Sequence, residues 1–98
     1  MRIKVEILPW LSTSIRPGSV GSIKLEHRLS GSSFRELMEE LCGVEPAVAK
    51  LLYDREKDGL RYPVKAAVND KLIDFNGGMD AVLSDGDNVI IMAAYTGG

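Results

Sequence analysis

The sequence predicts an α+β fold: a mixed sheet of four to five strands, crossed on one face by one main helix, with a short second helix. Three observations carry that expectation. Ile3, Val5 and Ile7 alternate with charged residues at period two, as on a half-buried strand. Phe34, Leu37, Met38, Leu41 and Cys42 recur at i, i+3, i+4, i+7 and i+8, the stripe of an amphipathic helix. Residues 89–92, Val-Ile-Ile-Met, are apolar without a break, as in a central strand covered by the helix on one side. At 98 residues the chain has the length of one domain, and folding at that size hides only about two-thirds of the unfolded chain's surface.

The elements follow in order. "RIKVEIL" is the first strand, ended by Pro9. "STSIRPGSVG", Ser12 to Gly21, has the composition of a loop, and "SIKLEHRL" alternates again through Ile23, Leu25, His27 and Leu29. A connection without a helix makes these two strands an antiparallel hairpin. Ser33 and Glu36 form the spacing of a capping box ahead of the main helix, whose charged face carries Arg35, Glu36, Glu39 and Glu40, and Gly43 supplies a stop. Pro46 opens a short helix reaching about Tyr53. "DREKDGLRY" reads as a polar loop, "PVKAAVNDKLIDF" as strand, Asn69-Asp70 turn, strand, and Asp85-Gly86 as the turn before the last strand. If that strand is central it runs parallel to the first, with the helix as the crossover. This is the β-grasp arrangement, with residues 1–92 as the body and 93–98 as a tail. Its second sheet face is left open, to be either polar or a partner surface.

The bulk chemistry excludes several functions. A net charge of −2 with no basic stripe argues against nucleic acid as a partner. No apolar run approaches the roughly 20 residues that span a bilayer, and the amino terminus lacks a secretory h-region, so a cytoplasmic protein is expected. One cysteine and one histidine leave no metal set and no bound cofactor is expected. His27 shares a strand face with Ile23 and Leu25 and reads as a partly buried or rim histidine. Cys42 reads as a small hydrophobe on the helix stripe, and Trp10 as a core or edge-capping aromatic. "DGD" lacks the spacing of a calcium loop and reads as a turn. The Gly77-Gly78 pair is a turn feature and shows that paired glycines alone are not diagnostic.

The chemistry that remains is at the last two residues, Gly97 and Gly98. At about 7% glycine usage a Gly-Gly ending arises by chance in roughly one chain in 200. A terminal α-carboxyl, with an ordinary pKa near 3.5, is ionised at neutral pH. The Gly98 carboxylate can therefore attack the α-phosphorus of ATP, and no Cβ hinders it. Gly97 lets the tail pass extended through a narrow channel. Ordering residues 93–98 costs roughly 6 to 12 kcal/mol at about 1 to 2 kcal/mol per residue, so the body is expected to dock as well, through its open face.

"SSFRELMEEL", "VND" at residues 68–70, "LSDGDNVII" and the final "TGG", in this order and spacing, resemble the ubiquitin-like sulfur carriers. The chain is most similar to the small subunit of molybdopterin synthase, with the thiamine-pathway carrier as a shorter relative, and "DREKDGLRYPV" is typical of the longer molybdopterin-type branch. The resemblance implies that Gly98 is adenylated by a ubiquitin-activating-type adenylyltransferase and converted to a thiocarboxylate, with Gly97 accompanying it into the partner's site. ATP belongs to that partner, and the sulfur goes to a large synthase subunit or another acceptor. The carrier is then not catalytic alone. The same terminus serves a protein modifier joined to lysines, and carriers for thiamine, thiolated tRNA or cysteine synthesis. Two departures stand out: "MAAY" replaces the prolines common before the tail, and the 12–21 loop exceeds a tight hairpin.

Overall fold

Period-two alternation decides the first two strands. The protein's structure, a computed structural model, describes residues 1–9, 11–18 and 21–93. In β1 (Arg2–Ile7) the side chains of Ile3, Val5 and Ile7 are buried, while Arg2 and Lys4 face solvent. β2 (Ile23–Arg28) pairs with it antiparallel, Val5 opposite Leu25. The loop expected between them contains a short helix, α1 (Leu11–Ile15). Leu11 and Ile15, four residues apart, both bury, and that gain outweighs the weak helix preference of the intervening serine and threonine. Ser12 is also buried and its Oγ donates to the Gly21 carbonyl at 2.7 Å, tying the return of the loop to α1.

The main helix, α2 (Phe34–Val44), begins as expected. The Glu36 amide donates to Ser33 Oγ at 3.2 Å, and the Glu36 carboxylate accepts from the Ser33 and Ser32 amides at 3.1 and 3.0 Å. Phe34, Leu37, Met38, Leu41 and Cys42 are all buried. Gly43 does not stop it: the helix runs one residue further, and the Glu45 amide closes it on the Leu41 carbonyl at 2.8 Å with an extended backbone. α3 (Pro46–Leu51) opens on Pro46 and ends two residues short of Tyr53. Tyr53 instead starts β3 (Tyr53–Asp54), which pairs with β4 (Gly59–Leu60) as a miniature hairpin inside the stretch read as loop. Asp58, at φ 50°, makes the turn.

β5 (Val64–Val68) turns through Asn69 and Asp70, at φ 49° and 71°, into β6 (Lys71–Leu72), as the sequence predicts. The second strand is shorter than expected. Ile73 drops into the core, so Ile73–Phe75 forms a 3-10 turn where the pattern had suggested strand. The last strand, β7 (Asn88–Ala93), lies at the centre of the order β2-β1-β7-β5-β6, parallel to β1 and antiparallel to β5. It includes Ala93, which the sequence reading had assigned to the tail. α2 covers one face of this five-stranded β-grasp sheet, and the core lies between them.

Candidate functional site

The central strand determines where the chain emerges, because its two edges are held along their length. At its start, Asp85 Oδ1 accepts from the Arg2 amide at 2.7 Å, and Gly86, at φ 87°, donates its amide to the Arg2 carbonyl at 2.8 Å. The Asp87 carbonyl accepts from the Lys4 amide at 2.9 Å, and its carboxylate accepts from the Ser84 amide and Asn69 Nδ2 at 2.8 and 2.9 Å. Asn69 Oδ1 in turn accepts from the Asn88 amide at 3.0 Å. "VND" and "DGDN" are therefore one polar clasp joining β1, β5 and β7. The "DGD" run is a turn, and among the described residues no cluster of metal-ligating side chains exists.

At the other end β7 finishes between its neighbours. The Leu8 amide donates to the Ile91 carbonyl at 3.0 Å, and Ala93 pairs with Val64 at the start of β5. Residues 94–98 follow from this point, so Gly97 and Gly98 lie outside the described residues, as does Trp10. The apolar run of β7 divides by side: Val89 and Ile91 are fully buried under α2, whereas Ile90 and Met92 are half-buried on the open face. Register places Ala67 and Leu72 on that same face beside Ile90. Next to them is a shallow depression of about 560 Å³, lined by Lys4, Glu6, Lys24, Glu26, Asn88 and Ile90. The open face is thus an apolar strip flanked by charges of both signs.

The remaining candidates take structural roles. His27 Nε2 meets Glu40 Oε1 at 2.7 Å, joining β2 to α2 at the rim of the core. Burial of Glu40 opposes its ionisation, yet hydrogen bonds from His27 and the Ser30 amide outweigh it and hold its carboxyl below the usual value. Cys42 is buried, and that burial pushes its thiol up, away from a reactive thiolate, although Arg55 partly opposes the shift. On the outer face of α2, Arg35 binds Asp58 through Nε and Nη2 at 2.7 and 2.6 Å and also bonds Asp80, clamping the β3–β4 hairpin to the helix. The hydrogen bond from Arg35 is the main reason Asp58 lies below its ordinary pKa. The charged face of α2 therefore carries structural pairing.

A match to the sequence model of the ThiS family covers residues 22–98, more than three-quarters of the chain and inclusive of both final glycines. The chain belongs to the ThiS family. Solved structures share the fold of this ThiS-family member. It is similar to CysO of Mycobacterium tuberculosis, at 26% identity and a TM-score of 0.68 over 93% of this chain and 99% of that one. It is also similar to SAMP1 of Haloferax volcanii, at 13% identity and 0.69 over the whole of both chains. A third is a putative molybdopterin converting factor subunit 1 of Pyrococcus furiosus, at 21% and 0.63 over 97% and 99%. No curated protein matches it. No helix among the described residues is long and apolar enough to cross a membrane.

Sequence reasoning found the central strand but not the surroundings of its far end. Tyr62 and Phe75 are large, exposed aromatics there, and neither was singled out. Phe75 was placed at the end of a strand. A Tyr-Pro step before an apolar run, and an aromatic next to Asn-Gly-Gly, were the signals available.

Proposed function

We propose that this ThiS-family protein is a sulfur carrier whose Gly98 carboxyl is its chemically active group. The observation that supports this most is that the family match runs through residue 98, with the tail issuing directly from the central strand of a β-grasp body. In this reading the Gly98 carboxylate attacks the α-phosphorus of ATP within a ubiquitin-activating-type adenylyltransferase, and pyrophosphate leaves. A sulfur nucleophile then displaces AMP, giving the thiocarboxylate. The chain's own part is positional. A rigid strand delivers a short tail, Gly97 keeps that tail narrow, and the open face around Ile90 and Met92 supplies apolar contact to offset the cost of ordering it.

The acceptor we favour is a large synthase subunit that builds the molybdopterin dithiolene. The β3–β4 hairpin supports that branch, since it occupies the insertion expected of longer molybdopterin-type carriers, and the Pyrococcus relative is of matching length. A second reading, conjugation to lysines of other proteins, draws on the full-length likeness to SAMP1, a small archaeal modifier protein. Intact mass of protein purified from its host separates the two. A species heavier by the difference between sulfur and oxygen, lost on alkaline hydrolysis, supports the carrier, whereas higher-mass conjugates support the modifier. Protein bearing neither overturns both.

A further inference from the structure

Independently of what Gly98 does, we propose that the open sheet face is a self-association surface, on which a second copy of this chain docks through Lys4, Glu6, Lys24 and Glu26. Register places these four charges in a square. Lys4 lies opposite Glu26 and Glu6 opposite Lys24, with Lys4 and Glu6 successive on the open side of β1. The two signs therefore alternate both along each strand and across the pair. All four line the depression of about 560 Å³ beside Ile90.

Side chains directly opposite on an antiparallel pair start about 5 Å apart, close enough for such charges to close on each other. They do not. Glu26 turns to Arg2 at 3.7 Å, and Lys4, Glu6 and Lys24 make no ion pair with any described residue. Three charged groups thus rim the depression with their pairing capacity unused.

Symmetry selects the occupant. A half-turn about an axis lying across the strands, between the Lys4–Glu26 and Glu6–Lys24 rows, sets β1 on β1 and β2 on β2. Lys4 then faces Glu6 of the second copy and Lys24 faces its Glu26, so every contact within the square joins opposite signs. The pattern is complementary to itself. A half-turn along the strands satisfies the square equally but sets Arg2 against Arg28, two like charges, and is the less favourable of the two. Sheets packed face to face stand about 10 Å apart, a gap that a lysine and a glutamate reaching from opposite sides bridge. The same approach sets β7 on β7 and covers Ile90, which shares a row with Glu6.

Area sets the strength. Four strands about 4.8 Å apart and up to six residues long present roughly 400 Å², half of the roughly 800 Å² that a standard interface buries per partner. The dimer is therefore weak and salt-sensitive, and it is closed, since one half-turn uses up the face of both copies. Ile90 is also part of the contact proposed for the tail's partner, so self-association and partner docking exclude each other.

Sedimentation equilibrium of the full chain from about 10 μM to 1 mM reads this directly. The weight-average mass should climb from that of one chain toward that of two, and fall back in about 0.5 M salt. Lys4→Glu and Glu6→Lys each set like charges face to face across the axis, and each should weaken association about tenfold or more while circular dichroism stays unchanged. Mixed in equal amounts, the two variants restore opposite signs at those contacts and should associate with each other. The double variant, with both signs exchanged, should associate by itself. A chain that stays monomeric over the whole range overturns the proposal and leaves the Gly98 reading untouched. Single variants that associate like the unaltered chain, or a mixture that stays monomeric, overturn the charge square. Mass rising past two chains overturns the closed pairing.

Discussion

The two ends of β7 are built on opposite principles. Where the strand begins, Asp85, Asp87 and Asn69 direct their polar side chains onto backbone amides, joining three strands. Where it finishes, Leu8 and Val64 secure the backbone, and the large nearby side chains of Tyr62 and Phe75 are turned to solvent. Hydrogen bonds satisfied within the molecule contribute to its stability, whereas apolar surface left in water contributes only when something else covers it. One end of β7 is therefore closed by polar side chains within the body, whereas the other is secured by backbone pairing alone and leaves large aromatic surface uncovered nearby.

Cutting the strand between its ends should have the largest effect on folding. Ile91 is fully buried and pairs with Ile7 and Ala66, so Ile91→Ala should cost about 2 to 5 kcal/mol in urea unfolding and weaken both ends together. Asp87→Ala removes the acceptor for Ser84 and Asn69 and should cost about 1 to 2 kcal/mol in the same measurement. Tyr62→Ala at the far end should stay within about 0.5 kcal/mol, because nothing buried is lost. Equal losses from Asp87→Ala and Tyr62→Ala would erase the contrast.

Acid sharpens the comparison from a third region, the start and outer face of α2. Glu36, bonded by the Ser32 amide and then by Ser33, lies below its ordinary 4.5, and Asp58, held by Arg35, lies below 3.8. A carboxylate whose pKa is depressed by folding adds stability above its unfolded pKa and loses it as the pH falls toward the folded one. Tm should therefore be level near neutrality and decline from about pH 4.5 downward. Glu36→Gln should flatten part of that decline in a Tm-versus-pH series. A decline of the same steepness in that variant would remove Glu36 from the account.

Much of this architecture is legible in the sequence. Strict alternation gives β1 and β2, helical spacing gives α2, and Asn69-Asp70 gives its turn, because each pattern maps directly onto one buried face. The misses share a physical cause. The apolar anchors described in α1 are Leu11 and Ile15, within a stretch of polar and turn-forming residues, and the β3–β4 hairpin is tied to α2 by Arg35 reaching Asp58 from 23 positions earlier. Ile73 leaves its strand because the core needs filling, a demand that its neighbours do not encode. Of the candidate site, Gly97 and Gly98 are proposed from the sequence and lie outside the described residues. The exposed ring of Phe75 is not legible there, since strand and 3-10 turn aim it differently.

Deleting Gly98 and following ATP–pyrophosphate exchange with the activating enzyme tests the central claim most directly. Exchange should be abolished, with Tm and circular dichroism unchanged from the full chain, if Gly98 carries the activated carboxyl. Undiminished exchange by the shortened, folded protein would contradict it.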